Sequence, residues 1–309
     1  MLCYCLARHA ATGFGFAEVN KALVPFFRNH VAYAAIVTIV LPLLVLAAVQ
    51  YRRRGKLWLS LWFIFTSALC LLAVQTSYTR AAYVSLFLGL VSWPFVHYRL
   101  WRFALPAGLA AALLGVVYLA HQNRFFDFAP EYTKAIVHKD FGNLVEATYQ
   151  LEDASTMERA YRWVAGGYMV GERPYLGYGP SSFYTFYKGY ALEAFRTYVS
   201  ENPERSTTHN YFLMTAAEQG IPGLLFFLLL VVAALLSAER SYRRSRSPAA
   251  RLLIVGACAS LVINLGFQLI NDMIETDKAG SWFFLSLALL VLADRSEWQR
   301  ESISASSPS

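Results

Sequence analysis

The sequence predicts an all-α protein that crosses a membrane several times. Of its 309 residues, 57% are hydrophobic and only 15% are charged, whereas roughly 25% are charged in a typical soluble domain. Apolar stretches of about 20 residues, enough to cross a hydrocarbon core of roughly 30 Å, recur along the chain. Because only helices and closed barrels satisfy the backbone in lipid, these stretches predict a polytopic helical membrane protein.

About seven apolar windows are predicted to span the membrane. They are 31–50, 57–74, 82–96, 103–120, 211–237, 252–270 and 280–293, the third and seventh being the shortest. The predicted organisation is a stretch 1–30, spans one to four within 31–120, a large polar segment 121–208, spans five to seven within 209–293 and a tail 294–309.

Arginine and lysine give these spans an orientation. The loops 51–56, 97–102 and 239–246 are rich in both residues and lie on alternate connections, so they share one side with the tail. By the positive-inside rule this side is cytoplasmic, which places the stretch 1–30 and the segment 121–208 outside. The net charge of +7 is thus arranged for a membrane surface, and no nucleic-acid partner is predicted.

The N-terminus lacks the charged, apolar and small-residue regions of a signal peptide. Because a chain that starts outside without such a signal is awkward to insert, we expect a fragment, or a late start, of a longer protein with further spans upstream.

The outer segment 121–208 is predicted to be largely helical. Ser155 and Glu158 fit a capping box that opens a helix near 156–170, and Pro174 stops it. Residues 183–198 are rich in Tyr and Phe and predict a helix at the membrane interface, where structural packing is favoured over ligand stacking. The segment has no cysteine, and no His/Cys cluster typical of zinc occurs in the sequence, so no metal or cofactor is predicted.

Three arginines are candidates for binding an anion. Arg80 begins the third predicted span, where the helix dipole favours negative charge; an arginine that reaches lipid phosphate is the alternative. Arg159 and Arg162 share a helix face and could clamp a pyrophosphate; a solvated face or a phospholipid contact is the alternative. Trp163 on the same face is expected to pack the helix down, with sugar stacking as its alternative.

His209 is the candidate general base. It precedes a helical run that starts at Asn210 and that Thr208 is predicted to cap. A histidine at a helix N-terminus is expected to be neutral and able to take a proton from a hydroxyl group; an interfacial histidine bound to water is the equal alternative. Glu218 is expected to cap or pair at the break 220–223, with a catalytic acid as the minor option.

Two other patterns carry weaker signals. Gly177 and Gly179 look only superficially like part of a phosphate loop, because no strand precedes them. Asp272, Glu275 and Asp277 form an outer acidic loop that is expected to be a solvated face, with a metal or acceptor contact as the alternative.

Taken in order, these segments resemble the O-antigen ligase and polymerase family. The matching stretches are 25–30 (PFFRNH), 79–83 (TRAAY), 159–163 (RAYRW), 173–183 (RPYLGYGPSSF), 209–213 (HNYFL) and 218–223 (EQGIPG). The resemblance extends over most of residues 25–290. Family members commonly have serine and glycine where Thr79 and Ala81 stand, and about a dozen spans.

The resemblance implies a metal-independent, inverting glycosyltransferase of GT-C-like fold in the bacterial inner membrane, with its active site facing the periplasm. The implied partners are a glycan linked to undecaprenyl diphosphate, membrane lipids, and an acceptor hydroxyl on a lipid A core sugar, a glycan repeat unit or a protein. The site residues predicted in this way are Arg80 and Arg159 for the diphosphate, with Arg162 fitting equally on physical grounds, His209 for the acceptor, and Asn210, Glu218 and Trp163 in support. These residues do not separate a ligase from a polymerase.

Two other classes of function stay open. A transporter or flippase of polyprenyl-linked or other anionic lipid needs ionisable residues within its spans and paired broken helices near the midplane, whereas the predicted spans are nearly free of charge. A structural subunit of an envelope assembly would tolerate replacement of Arg80, Arg159 and His209.

Overall fold

The structure, a computed structural model, describes residues 1–128, 154–196, 200, 207–275 and 277–306, and within these ranges it is helical without a strand. The α-helices are α1 (Leu2–Ala10), α2 (Val19–Leu23), α3 (His30–Arg53), α4 (Leu57–Thr76), α5 (Arg80–Tyr98), α6 (Trp101–Ala120), α7 (Ala154–Glu172), α8 (Phe183–Phe186), α9 (Tyr211–Arg244), α10 (Pro248–Gln268) and α11 (Asp277–Ser306). Short 3-10 segments cover Phe16–Glu18, Tyr187–Gly189, Glu193–Phe195 and the longer, kinked stretch His121–Phe128.

Six helices in the described ranges are long and apolar enough to cross a membrane. They are α3, α4, α5, α9, α10 and the run Trp101–Asp127 that contains α6. The predicted class, an all-α polytopic membrane protein, is confirmed. The seventh predicted span, 280–293, lies within α11, which is not among these six helices, and it stays a prediction.

Residues 1–103, 231–267 and 273–309 form the first of two compact units. Its helices approach closely where small residues face them, as is usual for packing in a membrane. The Ser60 hydroxyl donates to the Ala48 carbonyl at 2.9 Å, and the Ser260 hydroxyl donates to the Ile39 carbonyl at 2.7 Å, so α4 and α10 both pack on α3. A Cβ atom at Gly89 would lie 2.5 Å from the Ile263 side chain, which explains why α5 has a glycine there.

Residues 104–230 and 268–272 form the second unit. Its core joins α7 to the segment that follows it. The core side chains are Tyr161, Ala165, Met169, Phe183, Tyr187, Phe195 and Ala217. The predicted interface helix 183–198 is wrong for the part that the structure describes, because α8 and two 3-10 turns replace it. The physical reason is that Phe183, Tyr187 and Phe195 all turn into this core, each at most 1% exposed.

Helix α7 begins at Ala154, so Ser155 lies in its first turn and is not the N-cap that the sequence predicts. The side chain of Ser155 lies outside the described residues. The helix ends at Glu172, before Pro174, which has no amide hydrogen to continue it.

Helix α9 begins at Tyr211 and is capped by Asn210, whose side-chain oxygen accepts from the Leu213 amide at 2.9 Å. The predicted cap, Thr208, is therefore wrong. Its hydroxyl instead accepts from the Asn210 amide at 3.1 Å and donates to the Asn210 carbonyl at 2.7 Å, so it folds the turn that precedes the helix. Within α9 the backbone breaks at Gly220, with φ 73° and ψ 178°.

Candidate active site

His209 lies in the turn between the outer segment and α9. Its backbone has a φ of +52°, in the left-handed region that residues other than glycine seldom adopt and that recurs at functional sites. The side chain is 28% exposed, and its Nδ1 atom lies 3.7 Å from Oδ1 of Asp272. The ring is thus mostly enclosed, with one nitrogen facing a carboxylate.

Asp272 belongs to a short segment, residues 269–272, in which each residue holds part of the site. The carbonyl oxygens of Leu269, Ile270 and Asn271 accept hydrogen bonds from the Asn210 side chain at 3.1 Å, Arg159 Nε at 3.3 Å and the Tyr211 amide at 3.2 Å, respectively. The Asp272 carboxylate accepts from the Thr207 hydroxyl. The segment therefore fixes His209 from both sides of its own turn and fixes Arg159 beside it.

Arg159 and Arg162, which the sequence could not distinguish, have different surroundings. Arg162 is 2% exposed, forms an ion pair with Glu158 at 3.3 Å and donates to the Thr207 carbonyl at 3.3 Å. A charge so deeply buried needs these partners, so Arg162 holds α7 against the turn that carries His209. Arg159 is only half-buried.

The charge state of His209 follows from this environment. Burial, and then the positive charges of Arg159 and Arg162, lower the pKa of His209 to about 3. This outcome holds in spite of the Asp272 carboxylate, which on its own would favour the charged ring. The imidazole is consequently neutral at pH 7, as the sequence predicts for a histidine in this position.

Trp163 and Asn210 position the turn that carries His209. The Trp163 ring nitrogen donates to the Thr208 carbonyl at 2.8 Å, while the ring is 36% exposed. Asn210 caps α9 with its oxygen and donates to Leu269 with its nitrogen. These hydrogen bonds fix Thr208 and Asn210, the two residues that flank His209.

Glu218 holds the loop that follows α7. Its carboxylate is 3% exposed and accepts from the main-chain amides of Ser181 at 2.8 Å and Phe183 at 3.0 Å. This is the pairing role expected at the break in α9. Both oxygens are occupied by the backbone, so a role as a catalytic acid has no support in this geometry.

The loop that contains Gly177 and Gly179 is packed on the break in α9. The amides of Tyr178 and Gly179 donate to the carbonyls of Ala217 at 3.0 Å and Glu218 at 2.8 Å. A Cβ atom at Gly177 would lie 2.5 Å from the Glu218 main chain, so glycine is required for this approach. Because its amides bind the protein, this loop does not form a phosphate cradle.

Arg80 belongs to the first unit, where it is the first residue of α5. The preceding Tyr78 has a φ of +55°, and its hydroxyl donates to the Phe14 carbonyl at 2.6 Å. This contact ties the turn before Arg80 to the N-terminal stretch. The Arg80 side chain is half-buried.

The segment 269–272 is the part of the site that sequence reasoning missed. The sequence predicts a solvated face for Asp272, Glu275 and Asp277, whereas the Asp272 side chain is 16% exposed and faces His209. Glu275 is exposed, and the side chain of Asp277 lies outside the described residues. The available signal was the position of Asp272, directly after a predicted span on the same side as His209.

The family model for O-antigen ligase matches residues 65–228, more than half of the chain. The match includes Arg80, Arg159, His209 and Glu218, and it ends before the segment 269–272. A search of curated proteins finds no significant match.

Proposed function

The chain belongs to the O-antigen ligase family, and from that membership we propose that it moves a glycan from undecaprenyl diphosphate to an acceptor hydroxyl. Membership implies a membrane enzyme that acts on lipid-linked glycans. The finer assignment rests on one observation: a mostly buried, neutral His209 lies beside Asp272, and the charges of Arg159 and Arg162 act on it.

His209 is the general base in this proposal. With Nδ1 facing the carboxylate of Asp272, that nitrogen carries the hydrogen and Nε2 has the lone pair. Nε2 takes the proton of the acceptor hydroxyl while the hydroxyl oxygen bonds to the anomeric carbon. Asp272 holds the ring in this tautomer and stabilises the positive charge that the ring gains.

The leaving group is undecaprenyl diphosphate. As the new bond forms, the bond from the anomeric carbon to the phosphate oxygen breaks, and its electron pair stays on the diphosphate. Attack from the opposite face inverts the anomeric carbon. We assign Arg159 to the negative charge that builds on the diphosphate, and we assign to the buried Arg162 the task of holding Arg159's helix in place. Arg80 stays a candidate for the diphosphate on the sequence resemblance alone.

Binding of the donor is expected to strengthen the base. A histidine with a pKa of about 3 is a poor proton acceptor, but two of the three causes of this low pKa are the arginine charges. A bound diphosphate offsets those charges and brings negative charge near the ring, so the pKa of His209 rises. The base therefore becomes effective when the donor is in place.

We place the segment 121–208 and His209 on the periplasmic side of the bacterial inner membrane. Arg243 and Arg244 lie in the last turn of α9, at the opposite end from His209, and Arg52 and Arg53 end α3. Clusters of this kind favour the cytoplasm. A single cysteine introduced at Ser182 in a cysteine-free background should react with a membrane-impermeant thiol reagent from the periplasmic side.

The decisive experiment uses the purified chain in bilayers with a radiolabelled glycan on undecaprenyl diphosphate and a panel of acceptors. We expect label on an acceptor and release of undecaprenyl diphosphate, both lost in His209→Ala. His121→Ala is the matched control, because His121 is an exposed histidine outside the site and its removal should leave transfer intact.

Three outcomes would contradict parts of the proposal. Transfer that persists in His209→Ala would remove the general base. Movement of intact donor across the bilayer without cleavage would favour a flippase. If the unmodified chain neither binds the lipid nor transfers the glycan, the glycosyltransferase assignment is overturned.

A further inference from the structure

Asn271 has a buried polar atom to which no described residue forms a hydrogen bond. The residue is 6% exposed, and among the described residues its side-chain Nδ2 has no hydrogen-bond partner. Buried donors without partners are rare in native proteins, and they mark either an ordered water or a ligand.

The position of Asn271 is fixed by its backbone and its neighbours. Its own carbonyl accepts from the Tyr211 amide at 3.2 Å. The residue before it holds Arg159 through the Ile270 carbonyl at 3.3 Å, and the residue after it, Asp272, faces His209. The unused amide therefore lies in the chain between the anchor of the arginine and the partner of the base.

Two other asparagines, Asn264 and Asn210, use their side-chain amides in structural hydrogen bonds. Asn264 is fully buried, and its Nδ2 donates to the Ala279 carbonyl at 3.0 Å. Asn210 uses both ends of its amide, at 3.1 Å and 2.9 Å. Asn271 differs from both because its side-chain nitrogen is buried and no residue in the described part of the chain accepts from it.

We propose that Nδ2 of Asn271 donates a hydrogen bond to a phosphate oxygen of the bound donor, an inference that rests on the function proposed above. A diphosphate offers only acceptor oxygens, which suit an amide N–H group. The neighbouring arginines make the surroundings favourable to an anion. Asn271 thus joins Arg159 as a substrate-binding residue of the second unit.

An amide also suits the base better than another cation. A third positive charge near His209 would disfavour the protonated ring that the reaction must form. A neutral donor contacts the diphosphate without adding that charge. The proposed pair of an arginine and an amide therefore binds the donor while leaving His209 able to accept a proton.

The test measures binding of undecaprenyl diphosphate, the leaving lipid, together with thermal unfolding, in detergent or nanodiscs. Asn271→Ala should weaken binding by roughly 10–100-fold, the usual range for a hydrogen bond to a charged group, without lowering the melting temperature. Asn271→Asp should weaken it further, because a carboxylate repels the phosphates. Asn264→Ala is the matched control: it should lower the melting temperature, while the folded fraction binds the lipid normally.

The opposite results would overturn the inference. If Asn271→Ala lowers the melting temperature and leaves the affinity unchanged, a structural water is the partner of Nδ2. If neither the affinity nor the melting temperature changes, the Asn271 amide contributes to neither binding nor stability. The probe is a product, so its binding can be measured without catalysis. If Asn271→Ala binds it normally while the unmodified chain transfers the glycan, only this inference is refuted. If the unmodified chain neither binds the probe nor transfers the glycan, the proposed function is refuted.

Discussion

Glu218 and Asp272 are two enclosed carboxylates of the second unit that differ in what occupies their oxygens. Both oxygens of Glu218 accept main-chain amides, from Ser181 and Phe183, and the side chain is 3% exposed. Asp272 accepts the Thr207 hydroxyl with one oxygen, has its other oxygen 3.7 Å from the titratable ring of His209 and is 16% exposed.

The difference suits Glu218 to a structural role and Asp272 to the role proposed for it beside His209. A buried carboxylate needs hydrogen bonds to offset its lost hydration, and backbone amides supply them without any ability to change state. A carboxylate that faces a neutral imidazole can respond when that ring gains a proton. Removal of Glu218 should therefore lower the free energy of unfolding, and removal of Asp272 should lower the rate of transfer.

The largest effect is expected from Glu218→Ala. Two hydrogen bonds to a charged group are lost, and the buried amide of Phe183 loses its acceptor, so the free energy of unfolding should fall by about 3–5 kcal/mol. Thermal unfolding in detergent measures this change. Glu193→Ala is the control, because its side chain is 83% exposed; an equal loss in both variants would show that Glu218 is not a structural anchor.

Asp272→Asn should lower the rate of transfer with little loss of stability. The amide can no longer hold the imidazole in one tautomer, so we expect a loss of about 10–100-fold, part of the roughly 10²–10⁴-fold that a positioned base contributes. The maximal rate in bilayers measures it, with the exposed Glu275→Gln on the same connection as the control. If Asp272→Asn transfers the glycan at the wild-type rate, Asp272 has no role in catalysis and is a structural carboxylate like Glu218.

The pH dependence of stability tests whether Asp272 faces a neutral ring. With a pKa of about 3 when folded and roughly 6.5 when unfolded, His209 binds a proton more readily in the unfolded chain. Stability is thus lost as the pH falls from about 6.5 towards 3, and the loss at pH 5 should reach about 2 kcal/mol.

This loss is measured as the change in unfolding free energy of the unmodified chain relative to His209→Ala, between pH 7 and pH 5. Arg159→Gln should reduce it, since one cause of the low pKa is removed. A gain in stability on acidification would instead indicate an ion pair between Asp272 and a charged imidazole.

The smallest effect is expected from Trp163→Phe, which keeps the ring but loses the 2.8 Å hydrogen bond to Thr208. One neutral hydrogen bond contributes about 0.5–1.5 kcal/mol, so transfer should fall by about tenfold at most. Trp282→Phe in the first unit is the control. A loss as large as that in Asp272→Asn would mean that Trp163 contacts substrate.

The fold class could be predicted because long apolar windows and alternating basic loops depend on local composition. Arg159 and His209 could be named as candidates because each stands inside one of the short stretches on which the family resemblance rests. The pairing of Asp272 with His209 was not, because it joins residues far apart in the chain. Likewise, the aromatic residues at 183–198 predict an interface helix by composition, but the burial of Phe183, Tyr187 and Phe195 in one core replaces it with short turns in the part that the structure describes.

The segment 269–272 has a consequence for how this site tolerates substitution. Leu269 and Ile270 hold Asn210 and Arg159 through carbonyl oxygens, and every amino acid has such an oxygen. These two contacts therefore do not depend on which side chains stand at 269 and 270, and the geometry around His209 can be kept when those side chains change. Hydrogen bonds to main-chain carbonyls do not constrain the residue type, so they do not appear in a sequence motif. Distant relatives with other residues at positions 269 and 270 can therefore keep the same contacts.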